Sequence, residues 1–124
     1  MRLFLLLISA LLLSYGTASS QENNPCPDAK TQLEMSSCYN EQYRVADSKL
    51  NDVYNKLMAQ LNPEHKDKVK KAQITWIKLR DQHCDAEAYL STGGSVHALE
   101  LTICKAALTK TRTDQLHRIS NDLK

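Results

Sequence analysis

The amino-acid sequence predicts an all-α protein, an antiparallel three-helix bundle stapled by two disulfides. Apolar residues recur at steps of three and four over three long stretches, which is the spacing of one face of an α-helix. Asn62-Pro63 and Gly93-Gly94 are the breaks between these stretches. No stretch alternates apolar and polar residues as a strand does. Long helices joined by short turns favour antiparallel neighbours.

Residues 1–20 are expected to be a signal peptide rather than part of the fold. Arg2 supplies a positive charge, Leu3–Leu13 is an apolar run, and Gly16-Thr17-Ala18 offers small residues for cleavage after Ala18. The run is shorter than the ~20 residues that span a bilayer. We therefore predict an exported protein, periplasmic or secreted, with no membrane insertion after signal cleavage.

The rest of the chain has the size of one domain and a nearly neutral charge. Residues 21–30 contain two prolines among turn-forming residues, which predicts an irregular lead-in, and residues 31–124 are the predicted helical domain. The formal net charge is +2 for the full chain and falls to +1 without Arg2. This small charge gives no indication of nucleic acid as a partner.

The first predicted helix begins at Thr31 and ends at Asn62-Pro63. Thr31 and Glu34 have the spacing of a capping box, in which each side chain bonds the backbone of the other residue. Pro63 restricts the residue before it and suits the first turn of the next helix. The predicted apolar seam consists of Tyr43, Ala46 or Asp47, Leu50, Tyr54, Leu57 and Leu61.

The second predicted helix runs from Pro63 to about Leu90 and is centred on Trp76. We expect this indole, the only one in the chain, to lie in the buried seam, where it removes on the order of 200 Å² from water. The predicted seam consists of Val69, Ala72, Trp76, Leu79 and His83. An adjacent stripe of the same helix consists of Gln73, Trp76, Arg80 and Cys84.

The third predicted helix follows the loop 91–95 and has Ser95 as its N-cap. The glycine pair in this loop suits a turn that needs a positive φ. The predicted seam consists of Val96, Leu99, Ile103, Ala107, Leu108, Arg112, Leu116, Ile119 and Leu123.

Four cysteines follow the signal peptide, and an even number in an exported domain indicates two disulfides. Cys84 precedes Gly94 by ten residues and Cys104 follows it by ten, so an antiparallel helix pair brings them level. Both then lie about 15 Å from the turn. We therefore predict the pair Cys84–Cys104, which leaves Cys26 to pair with Cys38.

Five polar residues lie at or beside the apolar stripes of the three helices. They are Asp47, Gln73, Arg80, Asp81 and Arg112. We favour a structural cluster, in which an arginine pairs with one of the two aspartates and Asn51 or Gln73 satisfies the remaining hydrogen-bonding groups. An acid/base site is disfavoured, because a neighbouring arginine lowers a carboxylate pKa whereas a general acid needs it raised.

Other catalytic and metal-binding patterns do not occur in the sequence. The histidines His65, His83, His97 and His117 show no His-x-x-x-His spacing, and there is no Cys-x-x-Cys. His83 and Cys84 point about 100° apart on a helix, so they do not form a nucleophile–base pair. No phosphate-binding glycine motif occurs. We therefore predict no enzymatic activity, no cofactor and no metal.

Two spaced motifs carry a family resemblance. They are Ala72-Gln73-x-x-Trp76-x-x-x-Arg80-Asp81-x-x-Cys84 and Cys104-x-x-x-Leu108-Thr109-x-x-Arg112. Both are similar to motifs of the LprI-type lysozyme-inhibitor family, and the similarity covers nearly all of the chain after the signal peptide. The resemblance implies an exported bacterial helical domain, in a family named for a member that inhibits animal-type lysozyme.

Charge and resemblance together suggest a contact site for a lysozyme at the glycine turn. Residues 81–101 contain no lysine or arginine, and their carboxylates are Asp81, Asp85, Glu87 and Glu100. Animal-type lysozymes are generally basic and have a carboxylate-lined cleft, so an acidic end would attract them. The predicted contact residues are Tyr89, Ser91, Gly93, Gly94, Ser95 and His97. Tyr89 would be the anchor, and the serines or the histidine would bond the catalytic carboxylates.

Solvated helix faces and a turn that requires glycine explain the same features without a lysozyme. The alternative function is therefore a periplasmic protein-interaction module, or an immunity factor against a delivered cell-wall hydrolase. Its contact with an acidic partner would be a basic group on the second helix, consisting of Lys66, Lys68, Lys70, Lys71 and Lys78. A lysozyme activity assay separates the two functions.

Overall fold

The computed structural model describes residues 24–123, most of which lie in three long helices. These are α1 (Gln32–Gln60), α2 (Pro63–Glu87) and α3 (His97–Asn121), with a short 3-10 helix at Tyr89–Ser91 before α3. No strand occurs among the described residues. The predicted all-α class is confirmed, and none of these three helices has both the length and the apolar content of a membrane span. The expected signal peptide, residues 1–20, lies outside the described residues.

α2 runs antiparallel to both other helices, which makes α1 and α3 parallel neighbours. At one end, the Gln32 side chain donates to the Ser95 carbonyl oxygen (2.5 Å). At the other, the Ser120 hydroxyl donates to Oε1 of Gln60 (3.4 Å). α1 packs along α3, and α2 also packs against α3, so the predicted three-helix bundle is confirmed. We call its two ends the loop end, at Gly93-Gly94, and the turn end, at Asn62-Pro63.

The predicted capping box of α1 and the predicted start of α2 at Pro63 are confirmed. The Thr31 hydroxyl accepts from the Glu34 N–H (3.2 Å), and the Glu34 carboxylate accepts from the Lys30 and Thr31 N–H groups (2.8 and 2.9 Å). These backbone bonds favour the charged form and lower the pKa of Glu34. The Asn62 side chain accepts from the His65 N–H (2.9 Å), with proline in the first turn of α2.

The predicted end of α2 is wrong by about one turn. The helix ends at Glu87 rather than near Leu90. The chain then tightens into the 3-10 helix, in which the Ser91 N–H donates to the Ala88 carbonyl oxygen (3.1 Å). This tightening satisfies backbone groups that the end of an α-helix leaves unpaired.

The predicted N-cap of α3 is also wrong. The helix begins at His97, its N-cap is Val96 rather than Ser95, and no side chain caps it. Ser95 instead offers its backbone carbonyl to Gln32 of α1. This contact with α1 joins the two helices at the start of α3.

The buried apolar core lies toward the turn end of the bundle. Its members are Leu50, Val53, Leu57, Leu61, Val69 and Leu116, with Tyr54, Met58, Trp76 and Ile119 packed against them. Leu57 on α1 is 1% exposed and Leu116 on α3 is 0% exposed. The predicted α1 seam is confirmed at Ala46, Leu50, Leu57 and Leu61, and Val53 belongs to it as well.

The seam predicted for α2 is wrong at most of its positions. Leu79 is 61% exposed, Ala72 and His83 are also exposed, and Trp76 is half-buried. The buried residues are Val69, Gln73, Arg80 and Cys84, which largely belong to the adjacent stripe. The disulfide accounts for this rotation, because Cys84 has to face α3 and thereby turns the polar stripe inward.

The seam predicted for α3 is wrong at several positions. Leu116 is buried, but Val96, Ile103 and Leu123 are exposed. The buried residues are Cys104, Ala106, Thr109, Thr113 and Leu116. Small side chains take the place of the expected larger ones because α1 approaches α3 closely along this face. The Thr113 hydroxyl remains satisfied by the Thr109 carbonyl oxygen (3.0 Å).

Candidate functional site

Both predicted disulfides are confirmed, and they tie down the loop end of the bundle. Cys84–Cys104 joins α2 to α3 with Cα atoms 5.6 Å apart. Cys26–Cys38 joins the lead-in to α1 with Cα atoms 6.0 Å apart. The loop is therefore flanked by two helices that are covalently linked close to their ends.

The loop between α2 and α3 turns at Gly93 and Gly94. Gly93 has a φ of 79°, in the left-handed region that favours glycine. The Gly94 N–H donates to the Ser91 carbonyl oxygen (2.8 Å), and a Cβ on Gly94 would lie only 3.0 Å from that oxygen. The turn itself therefore requires both glycines.

Ser91 and His97 bond to each other within the loop. The Ser91 hydroxyl donates to the Ala88 carbonyl oxygen (2.9 Å), and Nδ1 of His97 lies 3.2 Å from both oxygens. The Ser91 hydroxyl has one proton, which it donates to the Ala88 carbonyl oxygen. In the contact between Ser91 and His97, Nδ1 of His97 is therefore the donor. These two predicted contact residues stabilise the conformation of the loop, and the imidazole keeps Nε2 as an acceptor.

Tyr89 and Leu90 form the exposed apolar surface of the loop end. Tyr89 is 72% exposed and Leu90 is 96% exposed. A shallow cleft of about 460 Å³ adjoins them, lined by Glu87, Ala88, Leu90, Ser91, Glu100 and Ile103. Gly93, Gly94 and Ser95 are exposed at the tip of the loop. Leu90 was not among the predicted contact residues, although its place just before the Ser-Thr-Gly-Gly turn is a signal that it could protrude.

Carboxylates from all three helices lie toward the loop end. Asp85 and Glu87 are at the end of α2, and Glu100 is in the first turn of α3. Because α1 runs parallel to α3, its first turn adds Glu34, and the lead-in adds Asp28. The loop end is therefore more acidic than the α2–α3 sequence alone indicated.

Positive charge is concentrated toward the turn end. Of the lysines of α2 that the sequence grouped together, Lys66, Lys68, Lys70 and Lys71 lie in the half of the helix next to Asn62, and Lys78 lies just past its middle. Two of them are engaged within α2, Lys68 with Glu64 (2.8 Å) and Lys71 with Asp67 (2.7 Å). The bundle thus has an acidic end and a basic end.

Arg80 is the centre of the buried polar cluster. It is 7% exposed, and its guanidinium carbon lies 5.2 Å from the ring centroid of Trp76 and 5.7 Å from that of Tyr43. Its Nε donates to Oδ1 of Asp81 (3.0 Å), and its Nη1 donates to Oγ1 of Thr109 (3.4 Å). Stacking between two rings and pairing with a carboxylate compensate the guanidinium for its lost hydration.

Arg112 forms the second part of the cluster. Its Nε donates to Oε1 of Gln73 (2.9 Å), and its guanidinium carbon lies 5.7 Å from the Trp76 centroid. Partial burial lowers the pKa of Arg112. Asp47 lies apart from both arginines and accepts from Asn51 instead (3.3 Å). The structure therefore brings together the other four predicted members of this set, but not Asp47.

Replacing Arg80 by alanine is expected to lower the free energy of unfolding by about 2 kcal/mol, because the packing between the two rings is lost. Urea denaturation followed by circular dichroism measures the change. The control is Arg44→Ala, whose pair with Glu41 is exposed at both partners and which should change stability by less than about 0.5 kcal/mol. Equal effects of the two substitutions would contradict a structural role for Arg80.

His83, Glu87 and Cys104 form a group whose ligand atoms all lie within 4.8 Å of one another. Nε2 of His83 lies 3.2 Å from Oε2 of Glu87, which lies 3.5 Å from Sγ of Cys104. That sulfur is bonded to Cys84, so it carries no proton and is not the thiolate that binds metals. The two other ligands are too few for a structural zinc site, and the group is a contact between an imidazole and a carboxylate beside a disulfide.

Residues 23–116 match the family model described as Lysozyme inhibitor LprI. The matched range contains both disulfides, the loop and the polar cluster. An uncharacterized protein of Rhizobium meliloti (strain 1021) is 30% identical over 126 residues, which cover 90% of this chain and 91% of the relative. No solved structure matches the chain.

Proposed function

Because the chain belongs to the LprI lysozyme-inhibitor family, we propose that it binds a lysozyme and occludes the lysozyme cleft without catalysing a reaction. Family membership supports the class of partner, and the geometry of the loop end supports the contact surface. Two disulfides fit an oxidising compartment, so we place this activity in the periplasm or outside the cell.

The exposed pair Tyr89 and Leu90 is the observation on which the proposed contact rests. Both side chains lie on a turn that is held by Cys84–Cys104 and by the Ser91–His97 bond. A rigid turn loses little conformational entropy when it enters a cleft. Aromatic anchors at the centre of an interface also carry a large share of the binding free energy.

The other predicted contact residues have two roles in this proposal. Gly93, Gly94 and Ser95 form the small exposed tip and bring backbone groups into the cleft. Ser91 and His97 support the turn, and Nε2 of His97 would accept a hydrogen bond from the protonated carboxyl group of the catalytic acid.

The acidic loop end gives the proposed complex its electrostatic component. Asp85, Glu87 and Glu100 surround the turn, so a basic lysozyme would be drawn toward this end of the bundle. Complementary charge raises the association rate more than the final affinity. Inhibition should therefore develop more slowly as the salt concentration rises.

Replacing Tyr89 and Leu90 together by alanine is expected to raise the inhibition constant for an animal-type lysozyme at least about tenfold, since the anchor is lost. The measurement is the rate of cell-wall lysis by the lysozyme as the purified chain without residues 1–20 is added. The control is Ile74→Ala, a truncation of a 61% exposed side chain far from the loop, which should leave inhibition unchanged.

The possible outcomes distinguish the partner from the contact surface. A double variant that inhibits as well as the unaltered chain would remove the loop as the contact, while the inhibitor function would stand. An unaltered chain that inhibits no lysozyme at micromolar concentration would remove the proposed function itself.

The second candidate function, a periplasmic interaction or immunity module, is supported by the basic group on α2. Lys68 and Lys71 are paired within the helix, so Lys66, Lys70 and Lys78 would make the contact with an acidic partner. Co-purification with an envelope protein, together with no effect on lysozymes, would favour this function.

A further inference from the structure

α3 and its N-cap residue Val96 carry an exposed apolar stripe that the bundle leaves uncovered. Val96 is 40% exposed, Ile103 is 37% exposed, and Ala107 is exposed as well. Steps of three, four and seven place residues on the same side of a helix, so these three lie on one face. Together with α1 the stripe lines a groove of about 820 Å³, whose apolar lining includes Met35, Tyr39, Val96, Leu99, Ile103 and Ala107.

One charged residue of each sign flanks this stripe. Glu100 and Lys110 are both exposed and line the same groove. Ten residues of α-helix separate them, which is about 15 Å along the axis. Neither forms an ion pair within residues 24–123, unlike Lys68 and Lys71 of α2.

We propose that the stripe is a dimer interface, in which α3 packs antiparallel against α3 of a second copy of this chain. Glu100 and Lys110 are equally far from position 105, and so are Ile103 and Ala107. A two-fold axis level with that position therefore sets each Glu100 opposite Lys110 of the other copy, and each Ile103 opposite Ala107.

This arrangement satisfies the condition that a two-fold interface imposes, which is that one patch must complement itself. The acidic Glu100 faces the basic Lys110 in one pair of positions, and the large Ile103 faces the small Ala107 in the other. Either pair alone would be unremarkable on a helix surface, but both are centred on the same position. That shared centre is the reason for proposing a second copy as the occupant of the stripe.

The charge distribution of the whole bundle favours the same orientation. Antiparallel copies place the acidic loop end of one beside the basic half of the other, whereas parallel copies would bring like charges together. The contact strip is short compared with the ~800 Å² per partner of a standard interface. We therefore expect a reversible dimer with a Kd on the order of 10–100 μM.

Charge reversal tests the register of this dimer. Glu100→Lys and Lys110→Glu are each expected to raise the Kd at least about tenfold, because each brings like charges together twice in a symmetric dimer. The double variant E100K/K110E restores opposite charges and should return the Kd to within about threefold of the unaltered chain. Sedimentation equilibrium at low salt, on the chain without residues 1–20, measures all four Kd values.

Two controls separate association from folding. Asp52→Lys reverses an exposed charge of α1 outside the groove and should leave the Kd unchanged. Circular dichroism should show the same helix content in every variant. If the unaltered chain were still monomeric at about 1 mM, the proposal would be overturned. A double variant as weak as the single ones would overturn it as well, and neither outcome bears on lysozyme binding.

Discussion

Replacing Leu116 by alanine is expected to lower the free energy of unfolding by about 3–5 kcal/mol. Leu116 is 0% exposed and belongs to the same buried cluster as Leu57 of α1. Truncation therefore removes apolar contacts and leaves a cavity that a close-packed interior closes only in part. Since a domain has roughly 5–15 kcal/mol of stability in total, the loss would be a large part of it.

Urea denaturation followed by circular dichroism measures this difference. The matched control is Leu90→Ala, which makes the same substitution at a position that is 96% exposed and should change stability by less than about 0.5 kcal/mol. If Leu116→Ala were as mild as Leu90→Ala, the core would not lie where the structure has it.

Replacing Cys84 and Cys104 together by serine is expected to lower the free energy of unfolding by about 3 kcal/mol. The bridge joins residues that are 20 positions apart, and its loss frees the unfolded chain to adopt more conformations. Cys84 is also fully buried, so a serine hydroxyl there would need a hydrogen-bond partner. For a domain of this size the melting temperature should fall by roughly 12–24 °C.

The double substitution of Cys26 and Cys38 by serine serves as the comparison. That bridge spans 12 positions and attaches only the lead-in to α1, so its loss can release the lead-in while the helices stay packed. Thermal denaturation of both double variants should rank Cys84–Cys104 as the more stabilising bridge. The opposite ranking would mean that the lead-in contributes more to the packed bundle than its position suggests.

Helix limits that are set by local chemistry could be predicted from the sequence. The capping box of Thr31 and Glu34 and the Asn62-Pro63 turn involve residues that are close together in the chain. The pairing of Cys84 was also predictable from the antiparallel order of α2 and α3, although the expected distance of about 15 Å from the turn is wrong, because α2 ends at Glu87. These features need no knowledge of how the helices are rotated.

The rotation of α2 follows from the predicted Cys84–Cys104 bridge, but the burial of Arg80 depends on residues of the other helices that the sequence does not place. Apolar character placed Leu79 inside, yet Leu79 is exposed and Arg80 is buried. A guanidinium becomes buried only when distant groups receive it, here the Tyr43 ring of α1 and the Thr109 hydroxyl of α3. The sequence shows the cluster as a set of polar residues but not which of them meet.

The candidate contact site was predictable in position but not in detail. The glycine turn and the acidic α2–α3 segment indicated its place in the chain. The bond between Ser91 and His97 depends on the 3-10 turn, which shortens α2 and directs Tyr89 and Leu90 outward. The predicted α2 continued to Leu90, and it therefore did not separate Ser91 and His97, which support the loop, from the exposed Tyr89 and Leu90.

The two sulfur bridges divide the bundle into two covalent units. Cys26–Cys38 closes within the first helix and the segment before it, and Cys84–Cys104 closes within the hairpin of the other two. Within residues 24–123, the backbone around Pro63 is the only covalent connection between the units. A protease that cuts there once would leave two fragments associated only through noncovalent contacts, and denaturant would separate them although every cysteine stays oxidised.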